Sequence, residues 1–145
     1  MRTQVAYAVA NIASIEVPRK EWLDLIPNLC ENCAQENPDY KNAALETLGF
    51  ICEELGPNDI TDELKNKVIF ALTSNITSNP ALEKSTMLSV KAFLQALSFA
   101  SQNFKVHQER EYIISKLFEA FKNQDEDIRT TAMQILVEIA RQEYD

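Results

Sequence analysis

Cys30-Glu-Asn-Cys33 is the one spacing in this 145-residue chain that suits a metal or a redox-active thiol pair. A structural zinc site draws on four ligands, yet no second cysteine pair follows and His107 is the single histidine. No strand pattern precedes the motif, as a thiol–disulfide exchange site would require. The pair therefore reads as two reduced thiols on a helix, with no metal and no cofactor expected. Phosphate-cradling loops need glycines where backbone approaches the ligand. Gly49 and Gly56 are the only two here, and each is assigned a packing or capping role in a helix. With one histidine beside a helix start and carboxylates spread over solvated faces, nothing is arranged for nucleophilic or general acid–base work. The chain is expected to bind rather than to catalyse, so no enzyme activity is predicted.

Charge narrows what it binds. The formal net charge of −8 argues against nucleic acid, whose binding rests on Lys and Arg neutralising phosphates, and favours a basic protein partner. No apolar run approaches the ~20 residues that span a bilayer, so no membrane insertion is expected. The start MRTQVAYAVANIASIEV holds one basic residue and no small-residue cleavage pattern, which suggests a soluble intracellular chain. Three cysteines, an odd number, give no disulfide framework. The length suits one body rather than two domains.

The positioning elements follow from the stretch Asn37 to Gly56. Asn37 caps, Pro38 takes the first helical position, Asp39 suits the positive first turn, and Gly56 ends the helix. Ala44, Leu48, Ile51 and Leu55 form one apolar stripe, opposite Asn42, Glu46, Gly49 and Glu53. The pattern recurs: Val5, Ala44, Phe93 and Ala132 correspond, then Val9, Leu48, Leu97 and Leu136, then Ile12, Ile51, Ala100 and Ile139. Offsets of 39, 49 and 39 residues are close to the period of HEAT and armadillo arrays, in which stacked helix pairs make a continuous core.

The predicted fold is all-α, a right-handed α-solenoid of HEAT repeats with about seven helices, one orphan helix and three antiparallel pairs. The orphan covers residues 2–14, as the second half of a unit cut through its middle. The others run over 19–35, with Pro27 inside as a kink, then 37–55, 62–76 capped by Thr61, 80–101 after Asn79-Pro80, 108–122, and 125 to the end. A single segment over 1–145 divides into a partial unit at 1–17 and full units at 18–56, 57–103 and 104–145.

Some apolar residues are out of place. At 100° per residue, Phe70 lies about 160 to 200° from the stripe of Leu64, Val68 and Leu72, with Ile69 at its margin. Around the stripe Ile114, Leu117, Phe118 and Phe121, Tyr112 points about 160° away and Ile113 about 100° to one side. These belong to first helices of successive units, which stacking sets side by side on the outer face. Ile69 and Phe70 would then face Tyr112 and Ile113 across a shallow aromatic groove fit for an apolar peptide side chain. Alternatively, a neighbouring loop such as that of Phe104 covers them. In the groove reading Ile113 and Glu109 point away from the core, so truncating either should leave the fold intact.

Ile15-Glu-Val-Pro18, Trp22-Leu-Asp-Leu-Ile-Pro27-Asn-Leu29, Leu45-Glu-Thr-Leu-Gly49-Phe-Ile-Cys52, Phe99 with Asn103-Phe104, and Ile128-Arg129 with Ala132 together resemble the importin beta family, over nearly the whole chain and in the order of its third to sixth HEAT repeats. The resemblance implies a nuclear transport receptor segment that binds Phe-Gly repeats of nucleoporins and contributes to Ran-GTP binding. It further implies cargo or an importin alpha adaptor as partners of the full-length receptor. Location in cytoplasm and nucleus, including the nuclear pore and envelope, goes with that role. Carried over by position, the Phe-Gly site has Glu109, Tyr112 and Ile113 on one wall and Ile69, Phe70 and Thr73 on the other, with a bulkier Phe70 and a polar Thr73 than the family's usual pattern. Glu46 and Glu53, on the inner side, would contribute to a Ran or basic-partner surface. The competing reading is a HEAT scaffold subunit that binds a folded partner and has no transport role.

Overall fold

The computed structural model describes residues 6–9, 11–12, 24–56, 58–100 and 103–144, and all its regular structure there is helical. Helix α1 comprises the helical residues 6–9 and 11–12. It is followed by α2 (Leu25–Cys33), α3 (Pro38–Glu54), α4 (Asp62–Ser74), α5 (Glu83–Gln95), α6 (His107–Phe121) and α7 (Glu126–Tyr144). Each of α2, α4 and α6 packs on the helix that follows it, and α3, α5 and α7 form an inner row while α2, α4 and α6 form an outer one. Short connections make each pair antiparallel. The result is a stacked helical solenoid.

The starts are written in the local sequence. Asn37 Oδ1 accepts from the Asp39 N–H at 2.9 Å, Thr61 Oγ1 from Leu64 N–H at 3.3 Å, Asn79 Oδ1 from Ala81 N–H at 3.0 Å, and Asp125 Oδ1 from Asp127 N–H at 2.8 Å. Each satisfies a donor that a helix start leaves free. The core is continuous between units: Leu45, Leu48, Ile51, Val68, Leu72, Phe93, Leu117, Ile128 and Ile135 are fully buried, each worth about 1.5–3 kcal/mol. Gly49 marks the tightest crossing. A Cβ there would stand 3.3 Å from Ala92 Cβ, so its small size lets α3 and α5 close together.

Several expectations change. Pro27 is the third residue of α2, in the first turn, where a missing N–H costs nothing and no kink is required; Trp22 and the earlier part of that predicted helix lie outside the described residues. Helix α3 ends at Glu54 with Leu55 extended. Gly56 has no left-handed φ to supply a cap; its N–H donates to Asp59 Oδ2 at 2.7 Å. The stretch 80–101 is not one helix: 3₁₀ turns at Pro80–Leu82 and Leu97–Ala100 flank α5. Asn42 accepts a hydrogen bond from Ser85 Oγ at 2.7 Å, tying α3 to α5 instead of facing solvent. Ile12 is exposed, although the matching Ile51 and Ile139 are buried.

Candidate functional site

On the outer row, α4 and α6 touch at few points and leave a cavity of about 380 Å³ between them. Its lining includes Ile69, Phe70 and Thr73 from α4 and Glu109, Tyr112 and Ile113 from α6, so the six residues lie around one cavity. Their side chains divide into floor and mouth. Ile69 and Ile113 are 4% and 2% exposed, whereas Phe70 and Tyr112 are 65% and 37% exposed. Ile69 and Ile113 are core residues with one surface on the groove, which corrects the expectations that Ile69 lies at the margin of its stripe and that Ile113 points away from the core.

The stripe of α6 is likewise rotated from its expected place. Ile113, Leu117 and Ala120 are buried, Ile114 and Phe121 half-buried, and Phe118 is 56% exposed. Helix α6 packs against its pair partner α7 and the 3₁₀ turn Asn103–Lys105 ahead of it, so its buried arc is wider than one stripe and shifts toward them. Large apolar residues at 118 and 121 pull the periodicity the wrong way. Truncating Ile113 therefore bears on folding as well as on the groove.

The aromatic mouth is nearly closed. The Phe70 and Tyr112 rings lie 6.4 Å apart between centroids, 17° from parallel, within the range of a direct aromatic pair. A third ring between them needs about 7–8 Å, two carbon contacts of roughly 3.5–4.0 Å each. Entry between them requires the rings to part slightly. Lys116 Nζ lies over the Tyr112 ring, 5.7 Å from its centroid, within reach of a cation–π contact.

Thr73 is polar in type but offers no free hydroxyl. It is fully buried, and its Oγ1 donates to the Ile69 carbonyl at 2.7 Å. Glu109 is exposed at the rim with Oε2 accepting from Asn103 Nδ2 at 3.3 Å. Sequence reasoning missed Asn66, Asn103 and Gln108, which also line the cavity. Asn66 precedes Phe70 by four residues and Gln108 precedes Tyr112 by four, so helical spacing could have found both. Phe104 is fully buried, but its loop leaves Phe70 and Tyr112 open.

On the inner row, Glu46 and Glu53 line a hollow of about 330 Å³ with Gly49, Phe50, Leu88, Lys91, Ala92 and Gln95. Neither glutamate makes an ion pair among the described residues, while Lys91 Nζ lies 3.5 Å from Asp127 Oδ2.

Reactive chemistry is absent from the thiols. Burial pushes Cys30 up to about 11 and both Cys33 and Cys52 up to about 12, so none is a thiolate near neutral pH. Among the described residues no group of three or more His, Cys, Asp or Glu is placed to hold a metal, and no helix is long and apolar enough to cross a membrane.

No family model matches the chain. Importin subunit beta-1 of Arabidopsis thaliana is 34% identical over 145 residues, all of this chain and 17% of that protein. This chain is a homologue of importin beta along its whole length. Its helix pairs are accordingly HEAT repeats. A solved complex of Kap95, the yeast importin beta, with Nup1 superposes with a TM-score of 0.82 at 26% identity, over 98% of this chain and 17% of that one. A structure of Kap95p with RanGDP gives 0.82 and 26% over 94% of this chain and 16% of that one. The chain thus spans about one sixth of the length of these importin beta relatives.

Proposed function

We propose that this chain is a segment of a nuclear transport receptor that acts by binding, and that its α4/α6 groove takes a phenylalanine of nucleoporin Phe-Gly repeats. The observation that carries this is the meeting of Ile69, Phe70, Thr73, Glu109, Tyr112 and Ile113 around one cavity with an apolar floor and an aromatic mouth. The Kap95 complex with Nup1 lends support, as a homologue with a partner of that kind. Burying one ring yields roughly 1.5–3 kcal/mol, and ordering a disordered peptide offsets part of it, so each contact is weak and reversible. That suits a carrier that must move on from each repeat.

Glu46 and Glu53, without ion-pair partners among the described residues, fit a share in a Ran-GTP or other basic surface, a reading supported by the Kap95p complex with RanGDP. Cargo or an importin alpha adaptor would be a partner of the longer receptor, which would work in cytoplasm and nucleus and at the pore. An NMR titration with an FxFG peptide tests the groove. Shifts are expected at Phe70, Glu109 and Tyr112; saturating peptide that leaves these unmoved would favour the scaffold reading, in which a folded partner occupies the inner face.

A further inference from the structure

Glu46, Gly49 and Glu53 lie on one side of α3, and the two glutamates are about 10 Å apart along its axis at 1.5 Å per residue. Gly49 between them has no side chain to fill the space. The inner-row hollow of about 330 Å³ opens there against α5. Its walls are largely apolar. Phe50, half-buried and stacked on Tyr7 with centroids 4.0 Å apart, supplies one, and half-buried Leu88 and buried Ala92 supply the other from α5.

Glu46 is half-buried, yet neither it nor Glu53 has an ion pair or hydrogen bond among the described residues. Lys91, the cation on the α5 side, pairs with Asp127 of α7 at 3.5 Å instead. A carboxylate that has lost part of its water without gaining a partner favours an incoming cation, and the net charge of −8 draws one in. A metal ion does not match the site. Hard divalent cations take about six or more oxygen ligands, and among the described residues no group of three or more His, Cys, Asp or Glu is placed to hold one.

An arginine side chain matches both the walls and the charge. Its stem can lie along apolar surface. Its guanidinium is flat, stacks on aromatic rings and carries five donors spread around a plane, so it can turn to two carboxylates at once. A lysine ammonium gathers its three donors at one point. We propose that the α3/α5 hollow is a socket for one arginine, carried on a basic segment of a protein partner, with the stem against Leu88 and Ala92 and the guanidinium between Glu46 and Glu53. This rests on the basic-surface reading of these glutamates above.

Three peptides test this on the 145-residue chain by NMR titration: pentalysine, the same peptide with arginine at its centre, and the same with citrulline there. The arginine peptide is expected to bind about three- to fivefold more tightly than pentalysine, with shifts centred on Gly49 and Phe50, and the citrulline peptide more weakly than either. Glu46→Gln and Glu53→Gln should each abolish the arginine preference. Glu54→Gln, which removes the same charge from an exposed position of α3 outside the hollow, should keep it. Equal affinities for the arginine and lysine peptides, with shifts still on α3, would overturn the socket and leave the basic-partner surface standing. A preference that survives both substitutions in the hollow, or is lost in Glu54→Gln, would overturn the socket too, by placing the effect elsewhere or in net charge alone. Absence of shifts on α3 with every basic peptide would overturn the basic-surface reading itself.

Discussion

Asn75 Nδ2 donates to the Cys33 carbonyl, 42 residues earlier, at 3.2 Å. The contact joins the end of α4 to the end of α2, and Asn123, just past α6, repeats it on the Thr77 carbonyl, 46 residues earlier, at 3.1 Å. Both asparagines also bond the last turn of their own helix, Asn75 to Ala71 O at 2.8 Å and Asn123 to Ala120 O at 3.1 Å. One side chain thus finishes a helix and fixes its register on the preceding unit. Asn123→Ala is expected to cost about 1–3 kcal/mol, because a buried side chain gives up its hydrogen bonds to the Thr77 and Ala120 carbonyls. The denaturant midpoint should fall with an unchanged slope; a midpoint within error of the parent would refute the register role.

Ile113 and Tyr112 are adjacent yet should behave oppositely. Ile113→Ala removes a buried side chain and is expected to destabilise by about 2–5 kcal/mol. Tyr112→Ala should change stability far less, since the ring is part of the exposed mouth, while lowering affinity for an FxFG peptide. Denaturation and titration of both variants check this, and a Tyr112→Ala variant with full affinity would remove the mouth from the site.

These two residues also mark what the sequence could and could not convey. Caps such as Asn37, Thr61 and Asn79 were legible because capping is local chemistry, and so were the stripes of α3 and α4. The rotation of α6 was not, because packing against α7 and the preceding 3₁₀ turn leaves no local signature and Phe118 competes with Ala120 for the inward face. Ile69, Phe70, Tyr112 and Ile113 were found together because two adjacent anomalies on each helix mark the same face, whereas Thr73 and Glu109 came only from the family resemblance. Asn103 was passed over as a break in the pattern, although it lines the same cavity.

The thiols predict a pH response. Each folded thiol titrates above the usual value near 9, chiefly through burial, so the folded state holds its protons longer than the unfolded chain. Their contribution is complete below about pH 9 and is lost as pH rises from there toward about 11–12. Stability measured across pH 8 to 11 should therefore fall with rising pH, and a Cys52→Ala variant should fall less steeply. Alkylation at neutral pH should reach half-buried Cys30 before Cys33 and Cys52. Equal rates for all three would contradict the burial order.

Hydrogen exchange should grade along the stack. Helix α3 is held by α2 and α5, whereas α1 contributes a stacked pair, Tyr7 on Phe50 with centroids 4.0 Å apart, at the end of the row. Amides at 6–12 are expected to exchange faster than those at 44–52. Equal protection in both segments would show that α1 is as firmly docked as an interior helix.

The close crossing of Gly49 and Ala92 also sets a shape. Helices α3 and α5 pack along their length on the inner row, while α4 and α6 barely touch on the outer one, so the stack is an arc with a tight concave side and slack on its convex side. Changing the curvature of an arc strains its two sides in opposite senses. A tighter bend spreads α4 from α6 and parts the Phe70 and Tyr112 rings, and a straighter one presses them together. The width of the outer slot therefore gauges the bend between α5 and α7, which lie opposite it on the inner row.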